Sequence, residues 1–350
     1  MSKIDIKSLY LSELEELMVS LKEPKFRAGQ IFKWLQSGVS DFDEMTDIPS
    51  KLRVTLQESY YIVTANIKKR LESCIDDTVK YLYEMYDGEF VESVVMKYNH
   101  GYSICISTQV GCRMGCSFCA SGLQGLKRSL SASEMLAQIT AAQRDLNIRI
   151  SNVVLMGMGE PMDNLQNVIR FLKLVSHEKG LNIGLRHISV STSGVVTGIY
   201  RLAEENLPIT LSISLHAPND KIRDAMMRVN KKWNVNALIK ACKDYIKVTG
   251  RRISFEYAVV SGVNDSDENA KELAGLLRGM LCHVNLIPIN PVKENSYKKP
   301  DRVKIEHFCK LLNDLGINTT IRRTLGQDID ASCGQLRKRA KEGEASENIQ

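Results

Sequence analysis

The spacing of apolar residues changes period twice along the 350-residue chain. Over residues 1–60 it has the helical repeat. Leu11, Leu14, Leu17, Met18 and Leu21 recur at three- and four-residue intervals and stop before Pro24, predicting a first helix. A second runs from Phe26 through Ile31, Phe32, Trp34 and Leu35 until Gly38 ends it. A third follows Pro49, with Ser50 as a candidate N-cap and Leu52 and Leu56 facing inward. From about 61 to 98 the period falls to two. Residues 79–86 and 90–97, rich in β-branched and aromatic side chains, flank Asp87-Gly88, a strong hairpin signal. Glu92 sits mid-strand, where alternation alone favours an outward-facing carboxylate, because an inward one is costly unless paired or catalytic.

Beyond residue 100, strand patterns at 103–108, 152–157, 187–191, 209–215, 253–259 and 283–288, with a shorter one near 317–322, alternate with helical patterns. The helices fall at about 131–146, 163–177, 195–205, 234–247, 266–279 and 301–314, the first opened by the capping-box pattern Ser131-Ala-Ser-Glu134. This alternation predicts an α/β fold built on a parallel sheet. About six βα repeats are too few to close an eight-stranded barrel, so a partial (β/α)6 barrel is expected. The expected organisation is a helical accessory module over 1–60, a β-hairpin extension over 61–98, a barrel core over 99–295, a C-terminal extension over 296–339 and a disordered tail over 340–350.

Composition narrows the class. A hydrophobic content of 43% and a charged content of 25% are ordinary for a globular chain. No apolar run approaches a membrane span and no signal-peptide core opens the chain, so a cytosolic protein without a membrane partner is expected. Nothing points to an obligate oligomer, so a monomer is expected. Net charge is +6, with basic clusters at Lys68-Lys69-Arg70, Arg228 to Lys232, Arg251-Arg252, Arg322-Arg323 and Arg337 to Lys341. Each alone reads as a solvated face; together they tilt towards a nucleic-acid partner. In the N-terminal module, Lys25, Arg27, Lys33 and Arg53 leave both an RNA-guiding and a structural docking role open.

Nine cysteines are too sparse for a disulfide scaffold. Cys74, Cys242, Cys282 and Cys309 lie in apolar or helical patterns. Cys112, Cys116 and Cys119 form C-x3-C-x2-C, with Cys105 seven residues upstream. Three thiolates so close favour a soft metal centre, and they can hold three irons of a [4Fe–4S] cube while leaving the fourth open. The residues alone also leave open a zinc-stabilised RNA-binding protein, in which Cys105 and the triplet hold the metal without catalysis. In βα barrels the chemistry gathers at the C-terminal strand ends. There stand the triplet, Gly157-Met-Gly159-Glu160-Pro161, Ser191-Thr-Ser-Gly194, Ser214-Leu215-His216, Asn290-Pro291 and Cys333-Gly334. Individually these have bland readings. Glycines punctuate turns, Ser191 and Ser214 could cap helices, His216 suits a hydrogen-bonded structural histidine, and Asn290 starts turns. Their convergence on one mouth outweighs each taken singly.

The cysteine motif, with an aromatic before its third cysteine, resembles the radical S-adenosylmethionine superfamily. Ser107-Thr-Gln-Val-Gly-Cys112, Met156-Gly-Met-Gly-Glu160-Pro161, Val190-Ser-Thr-Ser-Gly-Val-Val196, Ser214-Leu-His-Ala-Pro-Asn-Asp220, Asn285-Leu-Ile-Pro-Ile-Asn-Pro291 and Asp328-Ile-Asp-Ala-Ser-Cys-Gly-Gln-Leu336 resemble its RlmN/Cfr family of RNA methyltransferases. Phe26 to Trp34 resembles the family's N-terminal accessory domain, so the likeness spans essentially the whole chain. It implies methylation of carbon 2 of an adenine in 23S ribosomal RNA and of an adenine beside the anticodon in some transfer RNAs. It implies a [4Fe–4S] cluster held by Cys112, Cys116 and Cys119, and two S-adenosylmethionine molecules per turnover. Gly159, Glu160, Ser191, Ser214, Leu215, His216 and Asn290 correspond to the S-adenosylmethionine site. Cys333 corresponds to an S-methylcysteine intermediate, Cys105 to a resolving thiol forming a transient disulfide with Cys333, and Glu92 to a proton acceptor. A flavodoxin-like electron donor is implied as well. The sister branch methylates carbon 8 of the same ribosomal adenine and shares every cysteine; Pro161 and Ala217 resemble the carbon-2 branch.

Overall fold

The computed structural model describes residues 3–123, 125–289, 297–329 and 331. Asn290 and Cys333, and the tail expected over 340–350, lie outside the described residues. The N-terminal sixty residues hold β1 (Ile4–Asp5), α1 (Leu11–Ser20), α2 (Phe26–Ser37) and α3 (Ser50–Ser59), and β2 (Tyr60–Tyr61) then returns to pair in parallel with β1. α1 buries Leu14 and Met18, and α2 buries Ala28, Ile31, Phe32 and Leu35, as the spacing predicts. Gly38 ends α2 at φ +88°, a left-handed value favoured by glycine. Ser50 is not the N-cap of α3: Pro49 takes that position and the helix starts at Ser50 itself.

The rest of the chain supplies β3 (Asn66–Glu72), β4 (Val79–Glu84), β5 (Phe90–Tyr98), β6 (Gly101–Cys105), the short β7 (Gln109–Gly111) and β8 (Leu126–Ser129), and α4 (Ala132–Leu146). Then follow β9 (Ile150–Leu155), α5 (Leu165–Val175), β10 (Ile188–Thr192), α6 (Val196–Glu204), β11 (Thr210–Ser214), α7 (Asp220–Met226) and α8 (Val235–Thr249). The final elements are β12 (Ile253–Val259), α9 (Asp267–Leu277), β13 (Cys282–Pro288), α10 (Arg302–Asp314) and β14 (Thr319–Ile321). Among the described residues, ten strands make one sheet in the order β14-β13-β12-β11-β10-β9-β6-β5-β4-β3. From β14 to β6 all neighbours are parallel; β5, β4 and β3 continue the sheet antiparallel. Among the described residues the strand order runs from β14 to β3 without closing, the open arrangement that six βα repeats require. Ser131 caps α4 by accepting from the Glu134 N–H, and Glu134 reaches back to the Ser131 N–H at 2.8 Å. The helical module docks on α4 and α5. Phe32 and Leu35 join the same core as Ala137 and Phe171, Lys7 donates to Thr140 at 3.3 Å, and Arg170 pairs with Glu13 at 2.6 Å.

Alternation within the parallel strands gives the sheet two different faces. Ile104, Val153, Leu155, Ile188, Val190, Leu211, Ile213, Ile253, Phe255, Tyr257, Val284 and Leu286 enter the apolar core, and Tyr257 stacks on Phe308 of α10. The alternate positions are polar. Register aligns Ser191, Ser212, Ser254 and His283 in one row, and Ser214, Glu256, Asn285 and Thr320 in the next. Barrel interiors are ordinarily filled by bulky branched side chains. Here the inner wall carries hydroxyls, amides and a carboxylate, which suits a polar occupant.

Candidate functional site

The cysteine triplet lies on a loop bracketed by β7 and β8. Cys112 donates its N–H to the Gly125 carbonyl at 3.1 Å, and a Cβ on Gly111 (φ +74°) would fall 2.0 Å from that oxygen, so only glycine fits there. From the other side, the Ser117 N–H and hydroxyl both donate to the Met226 carbonyl at the end of α7, at 3.0 and 3.2 Å. Burial, then the neighbouring Cys119 and Glu160, push the Cys112 thiol up to about 12. Burial, Cys119 and Cys112 push Cys116 higher still. The Cys112 and Cys116 sulfurs are therefore poorly solvated, with Cys119 beside them, and bound cationic iron would offset the cost of ionising those two. The Met114 N–H donates to Cys112 Sγ at 3.5 Å, the sort of hydrogen bond that tunes cluster sulfurs. A cube takes one thiolate per iron corner, and a loop carrying three cysteines can supply three.

The strand-end loops beside this pocket are held by buried polar groups. Glu160 is 3% exposed; its carboxylate accepts from the Ser193 N–H at 2.7 Å and the Met162 N–H at 3.0 Å. Burial raises its pKa and those N–H groups lower it. Gly159 has φ +106°, and a Cβ there would meet the Gln109 backbone nitrogen at 2.8 Å. Ser191 caps no helix: it lies on β10 and donates to the Leu155 carbonyl at 2.7 Å. Ser214 likewise ends β11 instead of capping a helix. Leu215 is fully buried, and His216 adopts φ +57°, rare for a non-glycine residue. His216 Nδ1 accepts from the Ala258 N–H at 2.9 Å, so the proton of the neutral ring sits on Nε2. Burial, then the Arg223 charge, lower its pKa to about 3, and Phe118 meets the ring edge-on at 4.9 Å. A neutral, packed imidazole is a wall of the site and not its base.

Arg223 and Asn264 were not singled out by sequence reasoning. Arg223 on α7 is fully buried and donates to the carbonyls of Leu215 (3.1 Å), Ser193 (2.6 Å) and Ser214 (3.2 Å) and to Asn230 (2.9 Å). It ties the loop after β10 to the end of β11. Burial lowers its pKa to about 10, and the Cys116 sulfur, an anion once ionised, raises it. Asn264 spans the His216 and Ala258 carbonyls, each at 2.7 Å, and accepts from the Val260 N–H. One arginine among many and one asparagine in a turn carry no signal in the chain.

A second group occupies the inner wall where the antiparallel strands begin. Glu92 is 4% exposed and faces inward, correcting the expectation of an outward carboxylate. Its partner is Lys80, 1% exposed, with Nζ 3.7 Å from Oε2. Val94 lies opposite both Lys80 and Cys105, so these share a row across three strands, with Glu92 two positions along the same face. Burial pushes the Cys105 thiol up to about 11; Arg322 and the Met156 N–H act downward, Glu92 upward and Lys80 downward. The Asp87-Gly88 turn and its implied register could have revealed the pairing: Lys80 and Glu92 are opposite charges of the same parity in two apolar strands. After Arg322 the chain reaches the β3–β4 turn, where Asp328 accepts from Ser73 Oγ (2.7 Å) and the Cys74 N–H (2.8 Å), and Asp76 accepts from the Gly326 N–H (2.9 Å). Among the described residues there is no disulfide, and all eight cysteines are thiols.

A profile of the Radical SAM superfamily matches residues 106–274, the span from the cysteine loop to α9. A ribosomal RNA large subunit methyltransferase N-terminal domain profile matches residues 4–62. A probable dual-specificity RNA methyltransferase RlmN of Alkaliphilus oremlandii is 55% identical over 97% of this chain and 99% of its own length. Another from Clostridium novyi is 52% identical over 95% and 98%. The crystal structure of a radical SAM methyltransferase from Sphaerobacter thermophilus superimposes with a TM-score of 0.90 at 43% identity, covering 95% of this chain and 98% of that one. The fold is thus that of a radical SAM enzyme, which implies a [4Fe–4S] cluster and S-adenosylmethionine. The chain belongs to the RlmN family of radical SAM RNA methyltransferases. No helix among the described residues is long and apolar enough to cross a membrane.

Proposed function

We propose that the enzyme methylates carbon 2 of an adenine in 23S ribosomal RNA and of an adenine beside the anticodon of some transfer RNAs. Cys112, Cys116 and Cys119 hold the cluster, and Gly159, Glu160, Ser191, Ser214, Leu215, His216 and Asn290 receive S-adenosylmethionine. The buried Glu160 carboxylate matches the cofactor's ammonium, and the strand-end serines match its hydroxyls. When bound, two molecules of the cofactor supply a methyl group and a carbon-centred radical. Cys333 carries the methyl group as S-methylcysteine and becomes joined to the base through it. Glu92 takes the proton from carbon 2. The Cys105 thiolate then attacks the Cys333 sulfur, and the sulfur–methylene bond breaks with its electron pair going to the adenine-bound carbon. That carbon takes up a proton to become the methyl group, and a transient Cys105–Cys333 disulfide remains as the methylated adenine departs. A flavodoxin-like protein supplies electrons, and the enzyme works as a cytoplasmic monomer.

The observation that carries this reading is the placement of Glu92 and Cys105 together on the inner wall. Two groups with different duties at one adduct must stand side by side, and their environment is one in which a charge matters. Pro161 and Ala217 favour carbon 2 over carbon 8. Reaction with defined RNA fragments, followed by mass spectrometry of the mapped adenine, should yield 2-methyladenosine; 8-methyladenosine would overturn the assignment. Cys333→Ala should abolish methylation with iron content unchanged, and retained methylation would remove Cys333 from the carrier role.

A further inference from the structure

One of the basic clusters in the chain stands against the cysteine loop. Residues 220–232 carry five cations, Lys221, Arg223, Arg228, Lys231 and Lys232, against two anions, Asp220 and Asp224. Both aspartates accept from the Asn230 amide, at 2.9 and 2.7 Å. Arg223 is buried, but Arg228, Lys231 and Lys232 are exposed, on and beside the single 3-10 turn Arg228–Lys231. In another cluster Lys68 is paired with Glu84 and Arg70 with Asp145. Among the described residues no carboxylate pairs with Arg228, Lys231 or Lys232. Lys232 Nζ rests instead over the Trp233 ring, 4.5 Å from its centre. A Cβ on Gly115 would meet Arg228 Cδ at 3.3 Å and Nε at 3.6 Å, so this side chain lies against the loop one residue before Cys116. Ser117, one residue past Cys116, meets the Tyr297 hydroxyl at 2.9 Å, and the exposed Lys298 and Lys299 follow Tyr297. Exposed cations thus flank the stretch of loop that carries Cys116.

We propose that Arg228, Lys231 and Lys232, with Lys298 and Lys299, form the docking surface for an acidic one-electron carrier protein and bring its redox group up to the loop at Cys116. The inference rests on the reading above, in which the cysteine triplet holds a cluster that a partner protein reduces. Such a carrier must come close, because electron tunnelling through protein falls off steeply with distance. Cations left without a carboxylate of their own draw an acidic partner from solution and orient it over the loop. RNA phosphates would suit the same charges, but the residues proposed to act on RNA lie elsewhere, Glu92 on β5 and Cys105 at the end of β6. β11, which leads into α7 and this turn, is four strands from β5 in the sheet order. That is roughly 19 Å along the sheet, at about 4.8 Å per strand. One electron leaves the carrier and enters the cluster, so the carrier is oxidised by one electron and the cluster reduced by one. No bond and no proton moves in this chain.

The test uses anaerobically purified, cluster-loaded protein, with an acidic flavodoxin as the probe. Calorimetry reads flavodoxin affinity, and stopped-flow absorbance reads the rate at which reduced flavodoxin reduces the cluster. Two variants are compared with the wild type: Arg228→Glu, and Lys231→Glu with Lys232→Glu, which leaves the contact on Gly115 in place. At low salt each should lose about 10- to 100-fold in affinity and in rate, the range of electrostatic steering. In about 1 M salt, where the Debye length is about 3 Å, variants and wild type should react alike. Iron content, reduction by photoreduced deazaflavin (a small uncharged donor) and affinity for RNA fragments should not change. Flavodoxin affinity and rate held at wild-type values in both variants would overturn the proposal. A loss of RNA affinity, instead of the flavodoxin effect or beside it, would overturn it too, by marking a surface for phosphates. Protein that binds no iron would overturn both the docking surface and the reading of the triplet, whereas a loaded cluster with an unaltered flavodoxin rate removes the docking surface alone.

Discussion

The two sides of the inner wall are stabilised differently. Around the cysteine loop, the parts are held by backbone carbonyls and N–H groups. Arg223 spans three carbonyls, Asn264 two, Ser117 grips Met226, and His216 is locked as a neutral acceptor. Around Cys105, the parts are side-chain charges, Lys80 and Glu92 with Arg322 nearby, on regular strands that need no special loop geometry. A rigid cradle suits a cofactor that must be presented in one geometry. A balanced charge suits groups that must change protonation during turnover. The prediction is that substitutions on the first side disturb assembly and stability, whereas those on the second disturb proton chemistry in a well-folded protein.

The largest effect should come from Cys116→Ala, which removes one of the three thiols proposed to hold the cluster. Iron and sulfide content should fall close to zero and methylation should vanish, while unfolding of the metal-free chain shifts little. A cluster retained at full occupancy would exclude Cys116 as a ligand. Next, Arg223→Met should destabilise the fold by about 3–5 kcal/mol, because it strands buried carbonyls of both strand-end loops. Denaturant unfolding checks this, and a loss below 1 kcal/mol would show that the loops hold without it. Lys80→Met, by contrast, should leave iron loading intact, which sharpens the difference between the two sides.

The prediction with the smallest effect over a single pH unit concerns pH dependence. Burial, then Arg223, depress the His216 pKa to about 3, so an unfolded chain binds a proton near 6.5 that the folded one refuses. His216 therefore contributes stability that is complete above pH 6.5 and is lost as pH falls towards 3, at no more than about 1.4 kcal/mol per pH unit. Stability curves of the wild type and His216→Gln should converge over that window; parallel curves would mean the ring is protonated in the folded protein.

Much of the architecture was legible because periodicity is a local property. Seven parallel strands and the helices between them fall within a few residues of their sequence positions, and the Asp87-Gly88 hairpin forms, with Gly88 at φ +72°. α7 and the β7–β8 ribbon were not anticipated, since seven-residue and three-residue elements carry too short a pattern. The cysteine triplet and the glycines around Glu160 were legible through their spacing. Glu92 was not, because alternation states that a strand has two faces and does not say that both are covered. Only the antiparallel continuation of the sheet, burying Lys80 and Glu92 on the inner side, settled the matter.

The sequence by itself determined the order of elements, the cysteine triplet on the loop after the first parallel strand and the polar alternation of the inner wall, since each depends on residue type at fixed spacing. The tertiary structure decided which polar groups meet. Arg223 reaches back across Ser193, Ser214 and Leu215, and Lys80 and Cys105 flank Val94 from different strands. Such meetings depend on strand register and on which face is covered. No local pattern encodes these, because they follow from burying the whole apolar surface at once.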